Sequence, residues 1–255
     1  MGNETSSPLG QLFSFMTTSE TIPVGELDSL HDQIRAKWHD PQSNHYINNE
    51  GKSTMERKTV RKAMKKIFLY FKTSHICPQI LEVGSGNGIA SAMLQKRIVK
   101  LRGHLIATDI YNYTKTAIPL IVCDCEEAIQ KYGINCNCLL LFSPPPTPLS
   151  DIKRYNDSTI TQKNGFRKSG NFMDYFAIKM WTHLCSQMNH QTDSPKYLIF
   201  FGELGASDGT SGMFNYLLTH PNWTLQKRSE IYRCLDCFGG ICTKELFIFI
   251  YQNTN

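Results

Sequence analysis

The chain has 255 residues, of which 41% are hydrophobic, and its 27 Lys and Arg against 22 Asp and Glu give a formal net charge of +5. That length suits a single α/β domain with a sizeable core plus an extension. No apolar run approaches the length of a transmembrane helix, about 20 residues, and the first residues do not resemble a secretory signal peptide. Nine cysteines without a regular framework favour reduced thiols, so we expect a cytoplasmic protein.

The first part of the chain predicts a tail and then a helical extension. Residues 1–25 are rich in Ser, Thr, Gly and Pro, which predicts a flexible tail, and residues 26–75 are predicted as the extension. The start Met-Gly-Asn-Glu-Thr-Ser fits the N-myristoylation pattern at Gly2. A membrane contact is expected only if Gly2 carries that lipid, and an unmodified tail is the alternative.

Residues 56–71 have the strongest helical pattern of the chain. An apolar stripe recurs at helical spacing through Val60, Ala63, Met64, Ile67, Phe68 and Phe71. The other faces hold six cations, namely Arg57, Lys58, Arg61, Lys62, Lys65 and Lys66. We expect the apolar face to pack on a sheet. The positive ridge would attract the backbone of RNA or DNA, and an ordinary solvated face is the alternative.

A short apolar strand ends in a glycine-rich turn. Residues 80–88 read Ile-Leu-Glu-Val-Gly-Ser-Gly-Asn-Gly, and a helical stretch follows directly. Glycine lets the backbone pass close to a small ligand because it has no side chain to collide with it. Glu82 would repel a diphosphate but suits a ligand with an amine or a sulfonium. The candidate binding residues are Glu82, Gly84, Ser85, Gly86, Asn87 and Gly88.

Two further strands each end beside a carboxylate. Residues 105–109 form a predicted strand that ends at Asp109, about where such folds present an acid to ribose hydroxyls. Residues 118–122 form the next, and Asp124 lies just beyond it. The alternative is that each of these two acids is a solvated loop carboxylate without a binding role. Their neighbours Ile110 and Cys125 complete the set of candidate binding residues.

The fourth predicted strand, Cys138–Phe142, is followed at once by Ser143, Pro144, Pro145 and Pro146. In a doubly wound sheet this carboxyl edge faces the ligand crevice. The prolines stiffen the turn and lack N–H groups, so its carbonyls are available to accept hydrogen bonds from an amine. Such a turn would act by positioning the acceptor, although a stiff strand exit without a chemical role is the alternative.

A long connection over residues 147–171 mixes cations with aromatic residues, as single-stranded nucleic acid or any acidic substrate would require. Its candidate contact residues are Arg154, Tyr155, Phe166, Arg167 and Lys168. The fifth strand, Tyr197–Phe201, leads to Glu203 at the same sheet edge as Ser143. Glu203 is predicted to touch substrate or a cofactor amine, and a solvated carboxylate is the alternative.

Two final strands, over residues 223–228 and 245–251, are close in sequence and predict an antiparallel pair. Between them lie Cys234, Cys237 and Cys242, which do not complete a four-ligand zinc set. We therefore predict no metal site and interpret the thiols as small buried groups.

The Glu82-to-Gly88 turn with Asp109 and Asp124 resembles the cofactor motifs of the class I S-adenosylmethionine-dependent methyltransferases. The resemblance covers about residues 76–251 and lies within the Rossmann-like domain that is predicted over residues 76–255. It implies that the candidate binding residues hold S-adenosylmethionine, with Asp124 at the adenine amine. It also implies an α/β fold in which a seven-stranded doubly wound sheet is mostly parallel and has an antiparallel last strand.

Ser143, Pro144 and Pro145 resemble the catalytic turn of amino-methyltransferases, which modify base amines or a glutamine amide. This chain departs from that pattern at Pro146, where an aromatic residue usually stacks on the target. The segments around Ser143, Asp174 and Glu203 also resemble an uncharacterised group of methyltransferase-like proteins. The resemblance implies that Ser143, Pro144, Pro145 and Glu203 are catalytic and that Pro146 contacts the substrate.

These expectations leave three functions open. A nucleic-acid amino-methyltransferase is favoured by the basic helix and the 147–171 connection. A protein or small-molecule methyltransferase is the second. The third is a catalytically silent Rossmann-like binding module, which the intact glycine turn disfavours.

Overall fold

The computed structural model describes residues 46–47, 55–113, 115–144, 147, 149–159, 173–188, 195–203, 205–206, 209–210, 212–235 and 241–252. Several predictions fall on other residues. They concern the tail 1–25 with Gly2, the substrate candidates Phe166, Arg167 and Lys168, and the turn residues Pro145 and Pro146. These lie outside the described residues and stay predictions.

Strands and helices are numbered here along the chain. The strands are β1 (Tyr46–Ile47), β2 (Met55–Glu56), β3 (Gln79–Val83), β4 (His104–Asp109), β5 (Leu120–Val122), β6 (Cys138–Phe142), β7 (Lys196–Glu203), β8 (Gly205–Ala206), β9 (Gly209–Thr210), β10 (Trp223–Arg228), β11 (Tyr232–Leu235) and β12 (Ile241–Tyr251). The α-helices are α1 (Arg57–Thr73), α2 (Ile89–Ile98), α3 (Cys125–Tyr132), α4 (Leu149–Asn156), α5 (Met173–Met188) and α6 (Gly212–Thr219).

The central sheet has the strand order β5-β4-β3-β6-β7-β12-β10. The first five of these strands are parallel to one another, whereas β12 is antiparallel to both of its neighbours, β7 and β10. The predicted α/β, doubly wound, mostly parallel sheet with an antiparallel last strand is therefore confirmed. One feature was not predicted: β11 pairs with the first part of β12 as an eighth strand.

Alternating side chains place the sheet between two helical layers. All five residues of β6 are buried, and they alternate between the two sides of the sheet. On one side Cys138, Leu140 and Phe142 join a core cluster with α1 and α2. On the other, Leu139 and Leu141 join a cluster with α3, α5 and α6. Strands that are apolar on both faces require helices on both faces, which is why the fold is doubly wound.

The predicted basic helix 56–71 is α1, and its apolar stripe packs on the sheet as expected. Its five buried residues are fully enclosed, namely Val60, Ala63, Met64, Ile67 and Phe71, while Phe68 is half-buried. The Phe71 ring meets Tyr197 of β7 edge-on, with 6.0 Å between ring centroids. Helix α1 thus shares a core with the sheet. The domain boundary predicted at residue 76 remains a prediction.

The predicted connection 147–171 is wrong in one respect, because α4 occupies Leu149–Asn156. Its half-buried residues Ile152 and Tyr155 are three positions apart and so share one helix face. The mixture of charges and aromatic residues hid this short amphipathic pattern.

None of the helices in the described part of the chain combines the length and the apolar character that crossing a bilayer requires. Within the described ranges, no group of three or more His, Cys, Asp or Glu side chains is placed to hold a metal ion. The backbones of Cys234 and Cys242 lie directly opposite each other on β11 and β12, and Cys237 is outside the described residues.

We expect Phe71→Ala to lower the free energy of unfolding by about 3–5 kcal/mol, because it removes a fully buried ring and leaves a cavity. The matched control on the same helix is Leu69→Ala, at a position 39% exposed, which should change stability by no more than about 0.5 kcal/mol. Chemical denaturation of both variants measures the difference. Equal effects would contradict the packing of α1 on the sheet.

Candidate functional site

Two turns lie side by side at the carboxyl edge of the sheet. One is the glycine turn after β3, and the other is the turn after β6 that begins with Ser143 and Pro144. Strand β3 lies in the middle, with β4 and β5 on one side and β6 on the other, so the chain order reverses between β3 and β6. Glu82 of β3 is level with Leu140 of β6. The turns that begin two residues later, at Gly84 and after Phe142, therefore leave the sheet together. In open α/β sheets this reversal point is where ligands bind.

The turn after β3 has a backbone that only glycine adopts without strain. Gly84, Gly86 and Gly88 have φ values of 70°, 60° and 76°. These angles fall in the left-handed region, which a Cβ atom disfavours by about 1–2 kcal/mol per residue. A Cβ at Gly88 would also lie 2.6 Å from Cγ2 of Ile118. The three glycines are thus required by the shape of the turn that begins α2.

Asp109 fastens this turn to the neighbouring strand. Its Oδ2 accepts a hydrogen bond from the Gly86 N–H at 2.8 Å, and its Oδ1 accepts one from the Tyr111 N–H at 3.1 Å. The N–H of Ser85 donates to the Thr108 carbonyl at 3.0 Å. The side chain of Asp109 is only 3% exposed. Sequence reasoning placed Asp109 at a ribose and missed this structural role; the ribose contact itself stays a prediction.

The structure places the other predicted cofactor residues around the same turn. Glu82 is buried, and its carbonyl accepts a hydrogen bond from the Thr108 hydroxyl at 2.9 Å. The Asn87 carbonyl accepts a bond from the Ala117 N–H at 2.9 Å, which holds the segment after β4 against the turn. The loop that contains Ile118 therefore covers the glycine turn from the side of β4.

Asp124 and Cys125 lie at the end of β5, where α3 begins. Asp124 is exposed and caps α3, because its Oδ1 accepts a hydrogen bond from the Glu127 N–H at 2.8 Å. Burial raises the pKa of the Cys125 thiol to about 12, so this thiol stays protonated and uncharged at neutral pH. The predicted contact between Asp124 and an adenine amine remains a prediction.

Exposed apolar side chains border this crevice on the β4 and β5 side. Ile110, Tyr111 and Val122 follow or end these two strands and are 43%, 60% and 50% exposed. The Tyr111 ring meets Tyr113 edge-on at 6.3 Å. Of these, sequence reasoning identified only Ile110. An aromatic pair directly after a strand-ending acid was the available signal for Tyr111.

Ser143 has a strained backbone that two hydrogen bonds hold in place. Its φ of 59° is in the left-handed region, although it is not a glycine and precedes a proline. Such a conformation costs about 1–3 kcal/mol and persists only where the surroundings impose it. The Ser143 N–H donates to the Phe201 carbonyl at 2.6 Å, and Lys244 Nζ donates to the Ser143 hydroxyl at 2.5 Å. Strain of this kind is typical of functional sites.

Lys244 is a further site residue that sequence reasoning missed. It is 3% exposed, and it lies near the start of β12, where its backbone pairs with that of Glu203 on β7. It is separated from Ser143 by 101 residues. A lysine close to the start of an apolar run is usually interpreted as the solvated end of a strand, so no local pattern indicated its burial. Glu203 ends β7 at this edge as predicted, and its side chain is not among those described.

Asp174 anchors the chain just beyond the proline turn. It is fully buried in the first turn of α5 and accepts hydrogen bonds from the N–H and the hydroxyl of Thr147 and from the Tyr175 N–H. Burial raises the pKa of the Asp174 carboxyl to about 6, and these donors offset part of the rise. Pro144, which is also buried, is therefore flanked by two fixed residues, Ser143 and Thr147.

Two predicted substrate contacts, Arg154 and Tyr155, lie on α4 and contact other protein side chains. Arg154 is exposed and forms a surface ion pair with Asp151 at 3.5 Å. The ring of Tyr155 meets Tyr175 and Phe176 edge-on at 5.7 and 5.4 Å. Tyr155 therefore helps to attach α4 to α5, and stacking of this ring on a substrate remains a prediction.

The buried carboxyl of Asp174 predicts a pH-dependent contribution to stability. Its folded pKa of about 6 lies above the ordinary pKa of an aspartate, so the unfolded chain loses this proton first as pH rises. This group should therefore lower the free energy of unfolding between about pH 4 and pH 6, by on the order of 2–3 kcal/mol. Asp174→Asn cannot ionise, so its stability relative to wild type should rise over that range.

Chemical denaturation at a series of pH values measures this difference. Asp151→Asn, which changes a partly exposed carboxylate on α4, is the matched control and should show a nearly constant difference from wild type. A constant difference for Asp174→Asn as well would refute the raised pKa.

Comparisons with known proteins add three structural likenesses. A proposed RNA methyltransferase from Pyrococcus horikoshii has a TM-score of 0.43 and 9% identity, over 77% of this chain and 83% of that one. A proposed class I S-adenosylmethionine-dependent methyltransferase from Listeria monocytogenes has a TM-score of 0.40 and 13% sequence identity, over 90% of this chain and 67% of that one. MNMC2 from Aquifex aeolicus has a TM-score of 0.35 and 11% sequence identity, over 94% of this chain and 82% of that one.

No protein-family model and no curated protein matches the chain. The fold follows from the strand order of the central sheet. That order has five parallel strands and a reversed last strand inserted beside β7. The chain therefore has a Rossmann-like, doubly wound α/β fold with a reversed strand near one edge of the sheet.

Proposed function

We propose that this protein is an S-adenosylmethionine-dependent methyltransferase that acts on an amine, with nucleic acid as the favoured acceptor. The observation that carries the proposal is the meeting of two specialised turns at the reversal point of the sheet. One is the left-handed glycine turn bound by Asp109, and the other is the strained Ser143 turn bound by Lys244. A ligand turn beside an acceptor turn is the arrangement that group transfer requires.

The glycine turn fits the proposed cofactor in shape and in chemistry. Its three glycines leave no side chains above the backbone, and the acidic residues Glu82 and Asp109 beside it suit a ligand with a positive charge and hydroxyls. The exposed apolar groups of Ile110, Tyr111 and Val122 suit a flat purine ring. When bound, S-adenosylmethionine would supply an electrophilic methyl group on a sulfonium. The residues that would hold it are Glu82, Gly84, Ser85, Gly86, Asn87, Gly88, Asp109, Ile110, Asp124 and Cys125.

The Ser143 turn would hold the acceptor. Its backbone is fixed by the Phe201 carbonyl, and its hydroxyl is fixed by Lys244. Pro144 has no N–H, so the polar backbone group that it offers a substrate is a carbonyl, which accepts hydrogen bonds from an amine. A fixed acceptor orients the nitrogen lone pair, and rigid positioning of this kind accounts for much of the rate in reactions without a strong base. Pro145 and Glu203 would complete the catalytic group.

Charge supports nucleic acid as the acceptor. Helix α1 presents exposed cations along its outer face, and Arg154 on α4 is also exposed. Such basic surfaces attract phosphate groups, whereas they do not attract a neutral small molecule. The remaining predicted contacts, Pro146, Tyr155, Phe166, Arg167 and Lys168, would surround the acceptor.

The first test is titration with S-adenosylmethionine and S-adenosylhomocysteine by calorimetry. Wild type should bind both. Gly86→Arg should abolish binding, because its φ of 60° disfavours any Cβ atom and the added guanidinium would bring a positive charge to the turn that is proposed to hold a cationic cofactor. Leu69→Ala, which changes the outer face of α1, should bind as wild type does. Circular dichroism establishes that each variant is folded. A folded wild type that binds neither compound would refute the proposal.

The second test separates methyl transfer from cofactor binding. Ser143→Gly relieves the positive φ, which is stabilising, and removes the hydroxyl that Lys244 contacts, which is destabilising, so we expect a folded protein with unchanged cofactor affinity. Methyl transfer from labelled S-adenosylmethionine to RNA or DNA should fall by about 100-fold because the turn no longer fixes the acceptor. Lys244→Met should give a similar fall, and Lys244→Arg should recover part of the rate. Full activity in Ser143→Gly would remove the Ser143 turn from the mechanism.

A further inference from the structure

The two helical layers that cover the sheet differ strongly in charge. The layer made by α1 and α2, with the residues up to Arg102 that follow α2, contains eleven cations and no acidic residue. They are Arg57, Lys58, Arg61, Lys62, Lys65, Lys66, Lys72, Lys96, Arg97, Lys100 and Arg102. The opposite layer, α3, α5 and α6, contains three acidic residues and two lysines. The modest net charge of the chain thus conceals a strongly one-sided distribution.

Most of these cations face solvent. Nine of the eleven are exposed, and only Lys66 and Arg97 are half-buried. Lys66 pairs with Glu230 at 3.1 Å, and Arg97 donates to the Met93 carbonyl at 2.7 Å. Lys58, Arg61, Lys65 and Lys72 follow one another at helical spacings of three, four and seven residues, so they form one row along α1. With 17 residues, α1 is about 25 Å long.

A row of like charges is unfavourable for the helix itself. Four pairs of cations stand four positions apart between Arg57 and Lys66, and each destabilises a helix by about 0.2–0.5 kcal/mol. A solvated helix face normally intersperses acidic residues, which would turn this repulsion into attraction. These four pairs therefore have a local cost of about 1–2 kcal/mol, which a bound polyanion would offset.

The row leads to the candidate active site. Helix α2 begins at the glycine turn, and α1 ends shortly before β3 starts, so both helices begin at the carboxyl edge of the sheet. At that edge β2, directly before Arg57, neighbours β11. Strand β11 pairs with the residues of β12 that include Lys244. A chain bound along α1 thus reaches the vicinity of Ser143 and Lys244.

We propose that the layer formed by α1 and α2–Arg102 is the docking surface for the phosphate backbone of a nucleic acid. The proposal extends the proposed function by locating the partner, and its test does not need methyl transfer. A membrane surface is the weaker candidate, because a helix that binds lipid inserts its apolar face, and five residues of the apolar stripe of α1 are fully buried in the core.

The experiment measures binding of a labelled single-stranded RNA of about 20 nucleotides, without cofactor, between about 50 and 200 mM salt. Wild-type affinity should fall steeply with salt. Arg61→Glu with Lys65→Glu should weaken binding at least about tenfold and reduce the log–log salt slope by about 1.4 or more, because each lost single-strand phosphate contact removes about 0.7. This variant also relieves like-charge repulsion, so its thermal midpoint should not fall below that of wild type.

The matched control is Lys131→Glu with Lys179→Glu, two exposed lysines of the opposite layer, which changes the net charge equally. It should bind RNA within about twofold of wild type if docking is local. Equal weakening by both double variants, or no salt-dependent binding by wild type, would overturn the proposal. So would binding of wild type to phosphatidylserine vesicles but not to RNA. Failure of the calorimetric test would refute the cofactor while leaving this result unaffected.

Discussion

The pairing of β3 between two parallel strands is the constraint on which the rest of the structure depends. Because β3 is bonded to β4 on one side and to β6 on the other, both of its faces are buried and both need helical cover. The same arrangement makes the chain reverse its direction of travel across the sheet at this strand. A crevice therefore opens at the carboxyl edge, and the glycine turn and the Ser143 turn both border it.

Each of these turns has an unfavourable backbone that a distant residue stabilises. The glycine turn consists partly of glycines, which adopt a positive φ without steric strain, and Asp109 fixes the turn by accepting a hydrogen bond from the Gly86 N–H. The Ser143 turn has no such residue and relies on the Phe201 carbonyl and on Lys244. Asp174 fixes the chain again at Thr147. The resulting site is rigid where positioning matters, which is consistent with chemistry based on orientation.

The one-sided charge has a structural explanation in the same architecture. A doubly wound sheet has two outer surfaces, and one of them can become strongly basic without affecting the other. Here α1 contributes both the apolar stripe that closes the core and the cations that face outward. The helix thus combines the packing of the fold with the proposed docking of a nucleic acid, and the two tasks fall on opposite faces.

The sequence by itself determined the elements, because their signals are local. Alternating and continuous apolar runs predicted β3, β4, β6, β7 and β10, and the helical stripe predicted α1. Glycine spacing identified the turn after β3, since only glycine fits its φ values. Sequence reasoning did not identify α4, whose pattern is short, or β11, whose pairing depends on the chain returning beside β12.

Tertiary structure alone decided which residues act together. The bond between Lys244 and Ser143 spans 101 positions and exists only because β12 inserts beside β7 in the reverse direction. The anchoring of Thr147 by Asp174 and the fastening of Gly86 by Asp109 likewise join separate elements. No local pattern encodes such contacts, because burial of a lysine or an aspartate is set by the partners that folding places around it.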